Sequence, residues 1–153
     1  MLYTHFVDTY LDNRKAHFDY EIVERFEAGI ELLGFEVKSV RAGRGSLAGA
    51  HVIIRGKEVW IVGLRIDPYQ IGNTPPDYVP DETRKLLVTK KEIALLEEQE
   101  AKKGLTLIPL SLYNKKGKIK VSFAVARGKK QFDKRDTIKK RDTDREIGRL
   151  LKR

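Results

Sequence analysis

Alternation between apolar and polar residues is the clearest pattern in this sequence, and it predicts β-strands. Across residues 18–32 the even-numbered positions are apolar except for Glu24, while charged residues recur at the odd positions. A period of two over such a length is typical of a strand with one buried face. Gly29 lies inside the run, where a strand can bend without a Cβ clash. We therefore predict one long, bent strand of the kind found in small barrels.

Four further apolar runs are grouped along the chain as two hairpins, 51–55 with 58–66 and 105–113 with 118–126. In the first hairpin, Gly56-Lys57 is a two-residue connection with glycine first, which predicts a type II′ turn. In the last strand Ile119, Val121 and Phe123 fall on one face, and lysine and serine fall on the other. The inner face of that strand is therefore predicted to be apolar.

Two short helices are predicted between the strands. Residues 34–43 lose the alternation and are bracketed by glycines, with Lys38 and Arg41 three positions apart on one exposed face. Thr89 followed by Glu92 is a capping box, which marks the beginning of a second helix. These helices interrupt the strands without producing a βαβ pattern, so a parallel sheet is not expected.

The inventory of elements predicts a mainly β protein with short α-helices. A small closed or nearly closed antiparallel β-barrel fits best, and the oligonucleotide-binding type is favoured because it accommodates a helix between strands. Residues 67–80 contain four prolines and are predicted as a loop. We assign residues 1–12 to an N-terminal extension, 13–128 to the barrel and 129–153 to a flexible basic C-terminal tail.

Charge is concentrated in the tail. The chain has 31 Lys or Arg and 22 Asp or Glu, and residues 129–153 hold eleven of the basic and five of the acidic residues. The tail is thus near +6 and the rest of the chain near +3. Such density favours steered association with a polyanion and release of its counterions, so nucleic acid is the leading partner. The alternative is a solvated, disordered terminus that keeps the protein soluble.

Several classes of site are excluded by composition or spacing. The absence of cysteine excludes disulfides, thiolate metal sites and a cysteine nucleophile, and it is compatible with a cytoplasmic location. The three histidines, His5, His17 and His51, lack metal-ligand spacing, so we predict neither a metal site nor another cofactor. No apolar run approaches the roughly 20 residues needed to span a bilayer, so no membrane partner is expected.

An enzymatic alternative depends on four strand or loop carboxylates, Glu27, Glu31, Glu58 and Asp67. Two converging carboxylates could support metal-assisted phosphodiester cleavage. Carboxylates on the solvent face of a strand are more often simply solvated, and no convergent pair is evident in the spacing. The glycines of residues 41–46 match no phosphate-binding loop. We predict a binding protein rather than an enzyme.

Basic side chains recur on several predicted elements and could converge at one end of a barrel. They are Arg14, Lys15, Lys38, Arg41, Arg44, Arg84, Lys85, Lys118 and Lys120. Each alone could be an ordinary solvated cation. Tyr69 and Tyr113 lie near them in sequence and could stack on unpaired bases, whereas Trp60 is expected in the core.

Six sequence blocks occur in one order: 13–16, 26–30, 34–43, 84–87, 110–113 and 126–135. In content and spacing they resemble the bacterial tmRNA-binding proteins of the small protein B family. The resemblance runs from about residue 13 to the C-terminus. It implies an oligonucleotide-binding-type barrel that binds the tRNA-like domain of tmRNA and delivers it to ribosomes stalled on broken messages, as an adaptor and not an enzyme.

The resemblance also implies which barrel residues contact RNA. In the family, a strand glutamate, a leucine after an Arg-Lys pair and a lysine of the last hairpin correspond to Glu27, Leu87 and Lys120. A carboxylate can accept hydrogen bonds from a base amine or a 2′-hydroxyl, which adds selectivity that lysines lack. Together with Arg14, Lys15, Lys38, Arg41, Arg84 and Lys85, these three are the candidate RNA-binding residues.

For the tail, the resemblance implies a segment that is disordered in the free protein and helical on the ribosome, in the decoding site and the empty mRNA channel. The candidate tail residues are Lys129, Lys130, Phe132, Asp133, Lys134, Arg135, Lys139, Lys140, Arg141, Leu150 and Leu151. Expected partners are tmRNA, the small ribosomal subunit and, indirectly through tmRNA, elongation factor Tu. The protein is expected to be a monomer. The alternative is a general RNA-binding barrel with a non-specific basic tail.

Overall fold

The structure, a computed structural model, describes residues 9–129, which form nine β-strands and three α-helices. The strands are β1 (Thr9–Asp12), β2 (Tyr20–Ile30), β3 (Gly45–Ser46), β4 (His51–Arg55), β5 (Glu58–Val62), β6 (Arg65–Ile66), β7 (Arg84–Leu87), β8 (Leu105–Lys115) and β9 (Lys118–Gly128). The helices are α1 (Arg14–Asp19), α2 (Gly34–Arg41) and α3 (Lys90–Glu100). None of the helices in the described range is long and apolar enough to cross a membrane.

Six of the strands close into an antiparallel barrel in the order β8-β4-β5-β7-β2-β9, with β9 pairing back onto β8. Strand β8 pairs along one edge with β9, and its other edge pairs with β4 at Leu107 and with β1 around Leu112. Strands β3 and β6 form a separate two-stranded sheet. The mainly β barrel with short helices that alternation predicts is confirmed, and α3 is the helix between two of its strands.

The barrel interior is filled by the inward faces of the strands. Val59 and Ile61 of β5 and Val121, Phe123 and Val125 of β9 are fully buried there. Burying an apolar side chain of this size stabilises the fold by about 1.5–3 kcal/mol. The inward face predicted for the last strand is confirmed.

The N-terminal residues differ from expectation in two ways. Residues 14–19 form helix α1 rather than part of the predicted strand 18–32, because Asn13 accepts a hydrogen bond from the Ala16 amide at the N-cap. Ala16 then packs on Ile108 and Leu110, which lie outside the barrel. In addition, β1 pairs with β8, so the predicted extension of residues 1–12 includes a strand of the sheet. Residues 1–8 lie outside the described range.

Strand β2 does not keep its even positions on one face. A β-bulge shifts the pairing register between Ile22 and Glu24. As a result Ile22 packs in the outer cluster with α1, whereas Phe26 and Ala28 face the barrel core. The expectation of a single buried face was therefore wrong for the first part of the strand, because a bulge reverses the alternation.

The two hairpins end in turns with left-handed backbone at both central residues. Gly56 and Lys57 have φ of 59° and 61°, and Lys116 and Gly117 have φ of 52° and 79°. Two positive values define a type I′ turn, so the predicted type II′ turn was wrong. The turn fits the right-handed twist of the paired strands, and it requires Lys57 to adopt a conformation that glycine adopts more easily.

The loop that connects β6 to β7 is held by a buried ion pair. Arg84 is only 5% exposed, and its Nη2 and Nε donate to Glu36 Oε2 at 2.6 and 2.9 Å. The same guanidinium donates to the backbone carbonyls of Leu64, Pro80 and Glu82. The prediction that Arg84 is exposed was therefore wrong, since its guanidinium donates to groups inside the protein.

Candidate nucleic-acid interface

One open groove of about 600 Å³ brings together four of the nine candidate barrel residues. Glu27, Lys85, Leu87 and Lys120 line it, on strands β2, β7 and β9. Strand register explains the proximity, because Gly29 of β2 pairs with Leu87 on one side and with Lys120 on the other. Residues directly opposite each other across strands share a face of the sheet. We call this surface the β2 groove.

Gly29 shapes the floor of the β2 groove. A Cβ at this position would lie 3.4 Å from both Cβ and Cδ1 of Leu87, so the backbone of Gly29 lies directly against the leucine. Leu87 is 49% exposed, although its neighbour Leu86 is buried in the core. The groove therefore presents an apolar side chain to solvent between charged groups.

Glu27 is held by two hydrogen bonds. The Tyr113 hydroxyl donates a hydrogen bond to Oε2, and Lys115 Nζ donates to Oε1 at 2.9 Å. The bond from Tyr113 is the main cause that lowers the pKa of Glu27, followed by the bond from Lys115. Burial and the bond to Glu27 raise the pKa of Tyr113. The carboxylate is therefore ionised at neutral pH, and each oxygen retains room for a further donor.

Two of the candidate lysines, Lys85 and Lys120, line the groove, and they differ in their ion pairing. Lys85 Nζ lies 3.2 Å from Glu58 Oε1 in a partly exposed ion pair. Within the described range Lys120 forms no salt bridge, although its charge contributes to the lowered pKa of Glu27. Lys120 thus has its ammonium donors available to a ligand beside an oriented carboxylate.

Arg41 lines a second hollow that shares Gly29, Leu87 and Lys120 with the β2 groove. Its Nη2 donates to the Gly117 carbonyl at 3.0 Å, so the end of α2 rests on the turn between β8 and β9. The prediction that Lys38 and Arg41 are exposed on this helix is confirmed. Lys38 lines neither hollow.

The cations of α1 lie outside the β2 groove. Arg14 and Lys15 are exposed, and Lys15 lines a separate hollow of about 350 Å³ with Asp19 and His51. Helix α1 covers the outer surface of β8 and β9 around Ala126. The structure therefore does not bring these two residues into the β2 groove.

The structure corrects one expectation about an aromatic residue and adds a contact to another. Trp60 was expected in the core, but it pairs with Ile53 and Lys85 on the outer face of β5 and is partly exposed. Tyr113 was considered as a stacking residue, and the structure shows its hydroxyl bound to Glu27. The role of Lys115 was missed, because its contact with Glu27 depends on the pairing of β8 and β2 with β9.

Two of the four carboxylates considered for catalysis, Glu27 and Glu58, line the β2 groove, and the structure pairs three of the four with cations. Glu27 pairs with Lys115, Glu58 with Lys85 and Asp67 with Arg65. Across residues 9–129, no cluster of three or more His, Asp or Glu side chains could hold a metal ion. In the described part of the chain, the two candidate carboxylates of the groove are therefore engaged in ion pairs with lysines.

Lys129 is the only candidate tail residue in the described range. It follows β9, its amide donates to the Asp19 carbonyl at 2.9 Å and its Nζ donates to the His17 carbonyl at 3.2 Å. The other ten lie outside the described residues: Lys130, Phe132, Asp133, Lys134, Arg135, Lys139, Lys140, Arg141, Leu150 and Leu151. Their expected roles stay predictions.

The closed barrel and the β2 groove define a small β-barrel protein with a candidate nucleic-acid interface. The family model described as SmpB protein matches residues 10–153, and the chain belongs to this family. It is 49% identical to an SsrA-binding protein of Gloeothece citriformis over 93% of this chain and 92% of the relative. An SsrA-binding protein of Chlorobaculum tepidum is also 49% identical, over 94% and 92%.

A solved structure supports the same assignment. It is described as "tmRNA-SmpB: a journey to the center of the bacterial ribosome", and one of its chains aligns with this protein at a TM-score of 0.65 and 43% identity. The alignment covers 78% of this chain and 84% of the other. The resemblance to the small protein B family stated from the sequence is confirmed.

Proposed function

We propose that this protein is an RNA-binding adaptor of ribosome rescue, which binds the tRNA-like domain of tmRNA and delivers it to stalled ribosomes for trans-translation. Membership of the SmpB family and the names of its relatives support this function. The observation that carries it is the Glu27 carboxylate, ionised and fixed by Tyr113 and Lys115 in a groove that also holds Lys120 and Leu87.

Each of the three central residues has a distinct chemical role in this proposal. Glu27 accepts hydrogen bonds from a base amine or a ribose 2′-hydroxyl, which distinguishes one RNA surface from another. Lys120 neutralises a phosphate, which adds affinity without sequence information. Leu87 packs on a base or sugar that has been brought against the groove floor. A site built for charge attraction alone has no use for an oriented carboxylate, because it repels phosphate.

The tail has the second role in the proposal. Residues 129–153 occupy the decoding site and the empty mRNA channel, where their basic side chains contact rRNA and Phe132 stacks. Elongation factor Tu joins through the bound tmRNA, the adaptor acts as a monomer, and the compartment is the cytoplasm, where translation takes place. The charge of the tail supports this role, since eleven basic residues in 25 favour a polyanionic channel.

The decisive test compares binding of the purified full-length protein to its host's tmRNA and to bulk tRNA at near-physiological salt. Salt is essential because it weakens attraction that depends on charge alone. A clear preference for tmRNA is expected, and its loss in Glu27→Ala is expected although that change removes a negative charge. The matched control is Glu21→Ala, an exposed glutamate on the same strand outside the groove. Equal, salt-sensitive binding to both RNAs would indicate the alternative function, a general RNA-binding barrel.

Removing residues 130–153 separates the two roles. This truncation leaves Lys129 and its hydrogen bonds to α1 in place. We expect tmRNA binding to stay largely intact and peptide tagging on stalled ribosomes to be abolished. Equal loss of both activities would contradict a division of work between barrel and tail.

A further inference from the structure

The β2 groove extends beyond the residues discussed so far. From Lys120 on β9 it crosses β2 and β7 and reaches the start of β5 and the first turn of α3, where Lys57 and Lys90 line it. These strands are adjacent in the order β5-β7-β2-β9. Three strand spacings correspond to about 14 Å, so the groove is long enough to hold more than one nucleotide.

The far end of the groove carries cations without carboxylate partners. Among the acidic residues lining the groove, Glu58 pairs with Lys85 and Glu92 caps α3 by accepting from Thr89. Within residues 9–129, neither Lys57 nor Lys90 forms a salt bridge. Since the nearby acids are already engaged, this end presents two available ammonium groups.

The turn between β4 and β5 fixes the position of Lys57 on the rim of the groove. Its φ of 61° places a lysine in the left-handed region, at a turn position where glycine, asparagine or aspartate is preferred. Lys116 of the other hairpin has the same conformation, so the type I′ turn accounts for it. Lys57 occupies this position on the rim of the groove, with its side chain available to a ligand.

We propose that Lys57 and Lys90 form a second phosphate-binding point, so that the RNA strand held at Glu27 and Lys120 continues across β2 and β7 to the start of α3. The inference rests on the proposed function and assigns two further contact residues to it. Lysine binds phosphate as a point charge and reads no base. These residues therefore set the affinity and its salt dependence, whereas Glu27 sets discrimination between RNAs.

The test uses the full-length double variant Lys57→Asn/Lys90→Gln. Asparagine tolerates the left-handed region, so the turn is retained while the charge is removed, and glutamine is a good helix former. Binding to tmRNA and to bulk tRNA is measured over a range of salt concentrations. The slope of log affinity against log salt should fall by about 0.7–0.9 for each lysine, with both RNAs weakened by the same factor.

Controls distinguish this inference from the proposed function. Lys57→Arg keeps the charge and should keep the wild-type slope, and Lys103→Asn removes a lysine outside the groove and should leave the slope unchanged. An unchanged slope in the double variant, in a protein that still loses tmRNA preference with Glu27→Ala, overturns the second phosphate point alone. An equal fall in slope with Lys103→Asn also overturns it. Failure of the proposed function would instead appear as no preference for tmRNA in the wild type.

Discussion

Two glutamates of this protein have similar partners and opposite surroundings. Glu36 Oε2 accepts from Arg84 at 2.6 Å and lies 2.9 Å from the Tyr78 hydroxyl, and the carboxylate and guanidinium are almost completely buried. Glu27 likewise binds a tyrosine hydroxyl and a cation, but it lies in an open groove. The same pair of contacts therefore occurs once in the interior and once at the surface.

The two glutamates differ in the hydrogen-bonding capacity that remains for a ligand. In the buried pair, Glu36 Oε1 caps α2 by accepting from the Leu33 amide, and the Arg84 guanidinium is used by carboxylate and backbone oxygens. A planar guanidinium suits such a fixed network. At the surface, a tyrosine and a flexible lysine orient Glu27 but leave lone pairs exposed. Burial makes this arrangement a structural contact, whereas exposure leaves the Glu27 oxygens able to accept hydrogen bonds from a ligand.

The largest expected effect is on the buried pair. Arg84→Met removes one partner and leaves the Glu36 carboxylate buried, which should lower the free energy of unfolding by about 3–5 kcal/mol. The measurement is urea unfolding. Lys115→Met removes the corresponding cation of the exposed pair and should cost at most about 1 kcal/mol. Similar losses in both variants would contradict the distinction between the two sites.

Tyr78 gives the buried site a dependence on alkaline pH. Burial, then the hydrogen bond to Glu36, raises the pKa of Tyr78 to about 12. The folded state therefore keeps the phenol proton that the unfolded state loses near pH 10, so this stabilisation is complete below pH 10 and is lost as the pH rises toward 12. Tyr78→Phe should lower stability by about 1–2 kcal/mol at neutral pH and flatten this alkaline decline. A decline as steep as that of the wild type in urea unfolding would assign it to other groups.

Glu27→Gln should change the stability of the fold little and weaken RNA binding more strongly. The amide keeps the size of the side chain but loses its charge and half of its acceptor capacity. We expect a change of less than about 1 kcal/mol in the free energy of unfolding and a roughly tenfold or larger loss of tmRNA affinity. Urea unfolding and equilibrium RNA binding are measured on one preparation. A variant that unfolds easily yet binds normally would make Glu27 a structural residue.

The sequence predicted the barrel better than it predicted the use of its charges. The alternation of apolar and polar residues was enough to predict the inward face of β9, whose inner residues are buried. It did not distinguish Arg84 from Lys85, because Leu86 and Leu87 are both apolar and leave the inward face of β7 undefined. The resemblance predicted an RNA-contacting role for Leu87 and Glu27, and the structure brings both into the β2 groove. The contacts of Glu27 could not be predicted, because they depend on register across three strands.

The smallest expected effect is on the pH at which RNA binding weakens during acidification. Because the bonds from Tyr113 and Lys115 lower the pKa of Glu27 below its usual 4.5, the carboxylate stays ionised until the pH falls through that lowered value. Any stability from these bonds is likewise present above 4.5 and lost on further acidification.

Tyr113→Phe removes the main cause of the shift, so tmRNA binding should begin to weaken at a higher pH than in the wild type. Binding is measured from about pH 7 to about pH 4 at constant ionic strength. Protonation of the RNA bases is common to all variants. Glu27→Gln serves as the reference because it has no carboxyl to titrate. If Tyr113→Phe and the wild type lose binding at the same pH, Tyr113 does not control the ionisation of Glu27. The hydrogen bond from Tyr113 would then only position the carboxylate.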